Sequence, residues 1–243
     1  MSLHSPSCTF KDFESWKPIL MGCLDKKKWG KHYKKIYTNF KVVDCGMKPS
    51  FLWDIGSVPA ISTIKMLISH LKIENLLQSH IFLICSESEI FVVNKNIIIR
   101  ILSDETFFKF MSISPDSYLP VTSTLEDESL LKVLKKVIIE HSNEKNENAF
   151  STDFSKLCSP KVFGIILGYP VVYNVHDSND TSTLNLIPLV SIKVFIDCNG
   201  ESIEVYSFSH LLSHNLEEHI DKWYRNLKLE FKNFSFKLFK ENV

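Results

Sequence analysis

The stretch Ser50-Phe-Leu-Trp-Asp-Ile-Gly-Ser-Val-Pro-Ala-Ile-Ser-Thr-Ile-Lys-Met-Leu-Ile-Ser-His-Leu71 changes its hydrophobic period midway, and that change sets the fold class. Ser50–Ile55 is a short apolar run of strand type that closes at Asp54. Gly56-Ser57 turns the chain, and Pro59 stands where a first helical turn tolerates a missing N–H. Ile61, Ile64, Leu67, Ile68 and Leu71 then recur at helical spacing. A strand, a tight turn and an amphipathic helix in succession form a β-turn-α unit, so the expected class is α/β with mixed α+β content.

Upstream, Trp16, Ile19, Leu20, Cys23 and Leu24, then Trp29, Tyr33, Ile36, Tyr37 and Phe40, make residues 1–45 a helical segment that Lys48-Pro49 stops. Downstream, Ile81–Cys85 and Ile90–Val93 read as strands, with Ile97–Leu102 continuing them as a meander. Thr124 and Asp127 have capping-box spacing at the start of a helix whose acidic residues come first and lysines later. Ser142–Asn148 carries no apolar residue and reads as a loop. Ser159-Pro160 and Gly168 bracket a short apolar helix, and Val171–Val175 follows as a strand. Asn199-Gly200 is a hairpin turn between Ile192–Cys198 and Ser202–Phe208. Residues 211–243 read as a long helix, with Ile220, Trp223, Leu227, Phe231, Phe234 and Leu238 on one stripe. The expectation is a single domain over 1–243 with its core at 46–210, built on a central mixed sheet of about five to seven strands.

Composition narrows the function. With 243 residues, 44% hydrophobic, 18 Phe and 4 Trp, the chain has enough core material to fold without a metal or cofactor. Lysines and arginines balance aspartates and glutamates at a net charge of +0, and only Arg100 and Arg225 are arginines. A zero net charge and few guanidinium forks argue against a nucleic-acid partner. The 6 cysteines are scattered, and the N-terminus shows no signal peptide. Apolar runs fall short of the ~20 residues that span a bilayer. A cytoplasmic or nuclear location follows as the expectation.

Asp54 is the first candidate for chemistry. A carboxylate at a strand end, followed by Gly56, Ser57 and a helix start, sits where α/β proteins place ligands. Capping of the helix is its competing role. Neither a Gly-x-Gly-x-x-Gly nor a Walker sequence is present. Tyr169, Tyr173, Asn174, His176 and Asp177 form a second cluster, in which Asn174 and His176 share one strand face and His176 is a general-base candidate. Cys85 or Cys45 with His176 would make a thiol dyad, against the commoner fate of buried cysteine. His210, His214 and His219 lack metal-site spacing and read as surface or cap residues. Residues 26–41 carry 7 lysines interleaved with Trp29, Tyr33, Tyr37 and Phe40, a segment that suits RNA, anionic lipid or an acidic partner, or merely a solvated face.

Lys48-Pro-Ser-Phe-Leu-Trp-Asp-Ile-Gly-Ser-Val-Pro-Ala60 and Phe163-Gly-Ile-Ile-Leu-Gly-Tyr-Pro-Val-Val-Tyr173 together resemble the uncharacterised protein family UPF0739, named after a human open reading frame on chromosome 1. The resemblance implies membership and carries over no activity or catalytic set. Two functional expectations result. One is a small-molecule or nucleotide-like ligand site, with Asp54 and His176 as acid and base and Gly56, Ser57, Tyr169 and Asn174 as ligand contacts. The other is a non-catalytic adaptor that docks through helix 26–41 or the aromatic C-terminal helix. No metal is expected in either.

Overall fold

The computed structural model describes residues 10–85, 89–114, 117–122, 125–142, 149–151, 160–175, 188–198 and 200–242. The chain opens with α1 (Phe13–Cys23), α2 (Lys26–Trp29), a 3-10 turn (Gly30–His32) and α3 (Tyr33–Asp44). There follow β1 (Ser50–Leu52), α4 (Ile61–Ile73), β2 (Ile81–Cys85), β3 (Ile90–Asn94), α5 (Lys95–Leu102), β4 (Lys109–Ser114) and β5 (Ser117–Thr122). Then come α6 (Leu125–Ser142), β6 (Ala149–Ser151), α7 (Pro160–Leu167), β7 (Val171–Val175), β8 (Leu189–Cys198), β9 (Glu201–Leu211), α8 (His214–Glu230) and β10 (Ser235–Asn242). The mixed α+β class is therefore as the sequence indicates. The strands do not join one central sheet, however. Among the described residues they form a four-stranded sheet in the order β1-β3-β2-β6 and two three-stranded sheets, β10-β8-β9 and β5-β4-β7.

The chain divides into two compact units, one from Met1–Ile98 with Ile139–Ser155 and one from Ile99–Ile138 with Lys156–Val243. In the first unit β3 runs antiparallel to both β1 and β2, and β6 adds in parallel to β2. Every residue of β2 and β3 is buried. The α3 stripe of Tyr33, Ile36, Tyr37, Phe40 and Val43 is likewise buried, and Ile64, Leu67, Ile68 and Leu71 of α4 are sealed from solvent. Two aspartates fasten this unit. Asp12 accepts hydrogen bonds from the Tyr37 hydroxyl at 2.8 Å and from the Lys41 ammonium at 3.3 Å. Asp44 Oδ1 accepts three, from the amides of Gln78 and Ser79 and the Ser79 hydroxyl, at 2.7 to 2.9 Å. These bonds offset the cost of burying the Asp44 carboxylate.

Three local expectations are corrected here. Ile97–Leu102 is helical, not a strand, because Asn94 Oδ1 accepts from the amides of Asn96 and Ile97 and so caps the start of α5. Ile98, Ile101 and Leu102 then face inward at helical spacing. The strand after Lys48-Pro49 ends at Leu52, because Asp54 N–H folds back onto the Leu52 carbonyl at 2.9 Å. The last helix stops at Glu230, and Phe236, Lys237, Leu238 and Phe239 lie in β10, where inward and outward positions alternate.

In the second unit β4 pairs antiparallel with β5 and parallel with β7. The hairpin expected around Asn199-Gly200 is present as β8 and β9, with a bulge near Val194, and β10 adds antiparallel along the whole outer side of β8. Tyr206, Phe208 and His210 of β9 stand opposite Val194, Ile192 and Val190. The α8 helix covers this face, with Trp223 edge-on to Tyr206 at 5.0 Å and to Phe208 at 5.7 Å. Asp127 does not serve a capping box: it is buried and ion-paired with the buried Lys161 of α7, and Thr124 lies outside the described residues. The Ser142–Asn148 loop expectation and Ser159 fall outside them too, apart from Ser142 at the end of α6.

Candidate functional site

The β1–α4 connection is the better-defined candidate. Asp54, Gly56 and Ser57 are all exposed, while Trp53 and Ile55 on either side are buried. Alternating burial is what pushes the Asp54 carboxylate outward. The competing capping role is not taken up: the N-cap of α4 is Ala60, with no side-chain hydrogen bond to the helix amides. Gly56 has φ +65°, a left-handed conformation that suits glycine. A Cβ placed there would lie 3.5 Å from Trp29 Cζ3 and 3.6 Å from His32 Nε2. The basic N-terminal segment and the strand-end loop therefore meet at Gly56.

Behind this contact the aromatics stack away from solvent. Trp29 packs edge-on against Trp53 at 5.9 Å, Trp53 against Phe40 at 6.3 Å, and Phe40 against Phe51 at 5.3 Å. The indole Nε1 of Trp53 is buried without a hydrogen-bond partner among the described residues. Lys26, Lys27, Lys28, Lys31, Lys34 and Lys35 of the same segment are exposed, whereas Lys41 is buried on Asp12. The Trp29, Tyr33, Tyr37 and Phe40 stripe is core. An adaptor docking through those rings has no exposed ring to use, and in α8 Trp223 is buried as well.

The second cluster is described in part. His176 and the side chain of Asn174 lie outside the described residues, and Asp54 belongs to the first unit while β7 belongs to the second. Tyr169 is half-buried, its ring 5.5 Å from Phe208. The Tyr173 hydroxyl accepts a hydrogen bond from the Leu211 amide at 2.9 Å, and burial pushes its pKa up to about 12. Of the histidines read as surface or cap residues, His219 is half-buried and His210 is not at the surface at all. His210 is sealed from solvent; its Nδ1–H bonds the Leu211 carbonyl at 2.8 Å and its Nε2 has no partner among the described residues. His219 Nε2 lies 3.1 Å from the carbonyls of both Phe107 and Pro170, two acceptors, so it carries the proton. Burial holds both imidazoles below the ordinary histidine value.

The thiols fare poorly as nucleophiles. Cys85 is buried, and burial pushes its thiol up, away from the reactive thiolate. Cys45 is disulfide-bonded and so offers no thiol to a dyad. Cys23 of α1, by contrast, stands 3.6 Å from His70 Nδ1 of α4. The sequence offered no signal for this pair, 47 residues apart, and burial pushes the Cys23 thiol up as well. Among the described residues no group of three or more His, Cys, Asp or Glu could hold a metal ion, and no helix is long and apolar enough to cross a membrane.

These units define a mixed α+β protein with an exposed strand-end loop beside a lysine face. A family model described as Domain of unknown function (DUF4504) matches residues 22–241, and the chain belongs to that family. No solved structure matches it.

Proposed function

We propose that the protein binds a small anionic, nucleotide-like ligand at the Asp54–Ser57 loop. The observation that carries this reading is the approach of His32 and Trp29 to Gly56, which joins the strand-end loop to the lysine face. Phosphate groups suit the lysines and the uncapped start of α4, where the helix dipole favours negative charge. Asp54 suits hydroxyl donors of the same ligand, such as a ribose. The catalytic extension pairs Asp54 with His176 as acid and base, with Tyr169 and Asn174 as contacts; it is a separate proposal, tested by turnover in His176→Ala. We further infer an affinity with UPF0739 from Lys48–Ala60 and Phe163–Tyr173, and an intracellular location from the scattered cysteines.

Calorimetric titration of the full chain with ATP, adenosine and pyrophosphate tests the binding reading. Saturable binding of ATP is expected, weaker by about tenfold (about 1.4 kcal/mol) in a Lys28→Gln, Lys31→Gln variant. Gly56→Val, which crowds Trp29 and His32, should lose it. Wild-type protein that takes up none of the three ligands, or a lysine variant that binds as well as wild type, would rule the site out.

A further inference from the structure

The geometry points to a second copy of this chain as the partner of the β10 edge. Strand β10 pairs along Ser235–Asn242 with β8 in eight successive registers without a bulge. In the sheet order it is an outer strand, so among the described residues no strand covers its other side. The opposite edge, β9, is shielded differently: its ladder carries a register shift, and the Leu211 amide is taken by Tyr173. A straight, regular, uncovered edge is a template for another strand.

What this edge would accept is written in its side chains. Lys237, Phe239 and Glu241 alternate on the face away from α8, whereas Lys240 reaches Asp221 of α8 on the other face. Phe239 is 55% exposed, with its ring edge-on to Phe195 of β8 at 5.4 Å. An antiparallel copy related by a two-fold axis through Phe239 sets Phe239 against Phe239 of the second copy. The same register sets Lys237 against Glu241 of the second copy, and Glu241 against its Lys237. The pattern is self-complementary, one aromatic pair flanked by two opposite-charge pairs. Shifting the axis by one residue, to Leu238 or Lys240, loses the Lys237–Glu241 pairs. Lys237 already meets Asp197 at 2.8 Å, which holds its ammonium at the edge.

This proposal does not depend on the ligand reading. Its test uses two charge variants of the full chain in sedimentation equilibrium, over about 1–200 µM to bracket the weak affinity of a small interface. Wild type is expected to move from monomer toward twice the mass. Lys237→Glu places Glu against Glu and Glu241→Lys places Lys against Lys, so each alone should stay monomeric while keeping the wild-type circular dichroism spectrum. Mixed in equal amounts, the two should pair with each other, because both contacts are then Glu against Lys. A wild type that stays monomeric throughout, single variants that dimerise as wild type does, or a mixture that stays monomeric would each overturn the β10 interface.

Discussion

Gly46 and Gly56 hold their turns for different reasons. At Gly46, φ is +77° and a Cβ would stand 2.9 Å from Ile97 Cδ1, so Gly46→Ala combines left-handed strain with overlap. It should lower unfolding free energy in urea by about 1–3 kcal/mol. The Asp127–Lys161 pair offers a sharper case. Removing one charge leaves the other buried and uncompensated, so Asp127→Ala should cost about 3–5 kcal/mol. Replacing both, as Asp127→Leu with Lys161→Met, should recover most of that, and thermal unfolding of the two variants side by side checks it. At this scale the sequence was legible where one residue decides its own environment. Asp54 stands in the loop two residues beyond the end of β1, but Gly56 in a turn was visible there. The nearness of His32 to Gly56 was not, since it depends on how residues 29–32 pack back onto the loop. Nor was the sealing of His210, which depends on α8 lying over β9.

Elements were read well wherever period and punctuation agreed: α4, β2, β3, α7, β7 and the β8–β9 hairpin stand where their patterns put them. They were misread where two periods fit the same letters. Asn94 to Leu102 holds enough isoleucine for a strand, and the deciding signal is the Asn94 side chain. It caps α5 with its oxygen and donates from Nδ2 to the Val43 carbonyl at 2.9 Å. Asn94→Ala loses both roles and leaves the Val43 carbonyl with the Gly46 amide, at 3.0 Å, as its donor. A loss of about 1–3 kcal/mol is expected in denaturant unfolding, with hydrogen exchange accelerated first in the opening turn of α5. Residues 231–238 misled in the opposite direction, since Phe231, Phe234 and Leu238 extend the α8 stripe on paper. The chain leaves the helix after Glu230 and pairs with β8 instead. Tertiary pairing outweighed local period there.

Across the molecule, His210 and His219 set a common response to acid. Both are held below the ordinary value of 6.5, so between that value and their folded pKa the unfolded chain binds more protons than the folded one. Their contribution is complete above 6.5 and is lost as pH falls through and below it. The urea midpoint should therefore drop between about pH 7.5 and 5.5, and a His210→Leu, His219→Gln variant should show a flatter profile. An unchanged slope in that variant would assign the response to other groups. The α+β class was readable at this scale because period alone supplies it. The division of the described strands into three sheets was not, because strand partners are chosen by long-range packing.

The order in which the two units are threaded has a consequence for synthesis. The four-stranded sheet of the first unit needs Ala149–Ser151 for its last strand, so it cannot be finished until that triplet leaves the ribosome. By then residues 99–138, which belong to the second unit, are already outside, with β4 able to pair with β5 but its β7 edge still open. Neither unit is a finished product while the other is being made, and a nascent chain that has emerged only to about residue 140 would expose the open side of β2 and the edge of β4 that β7 later covers.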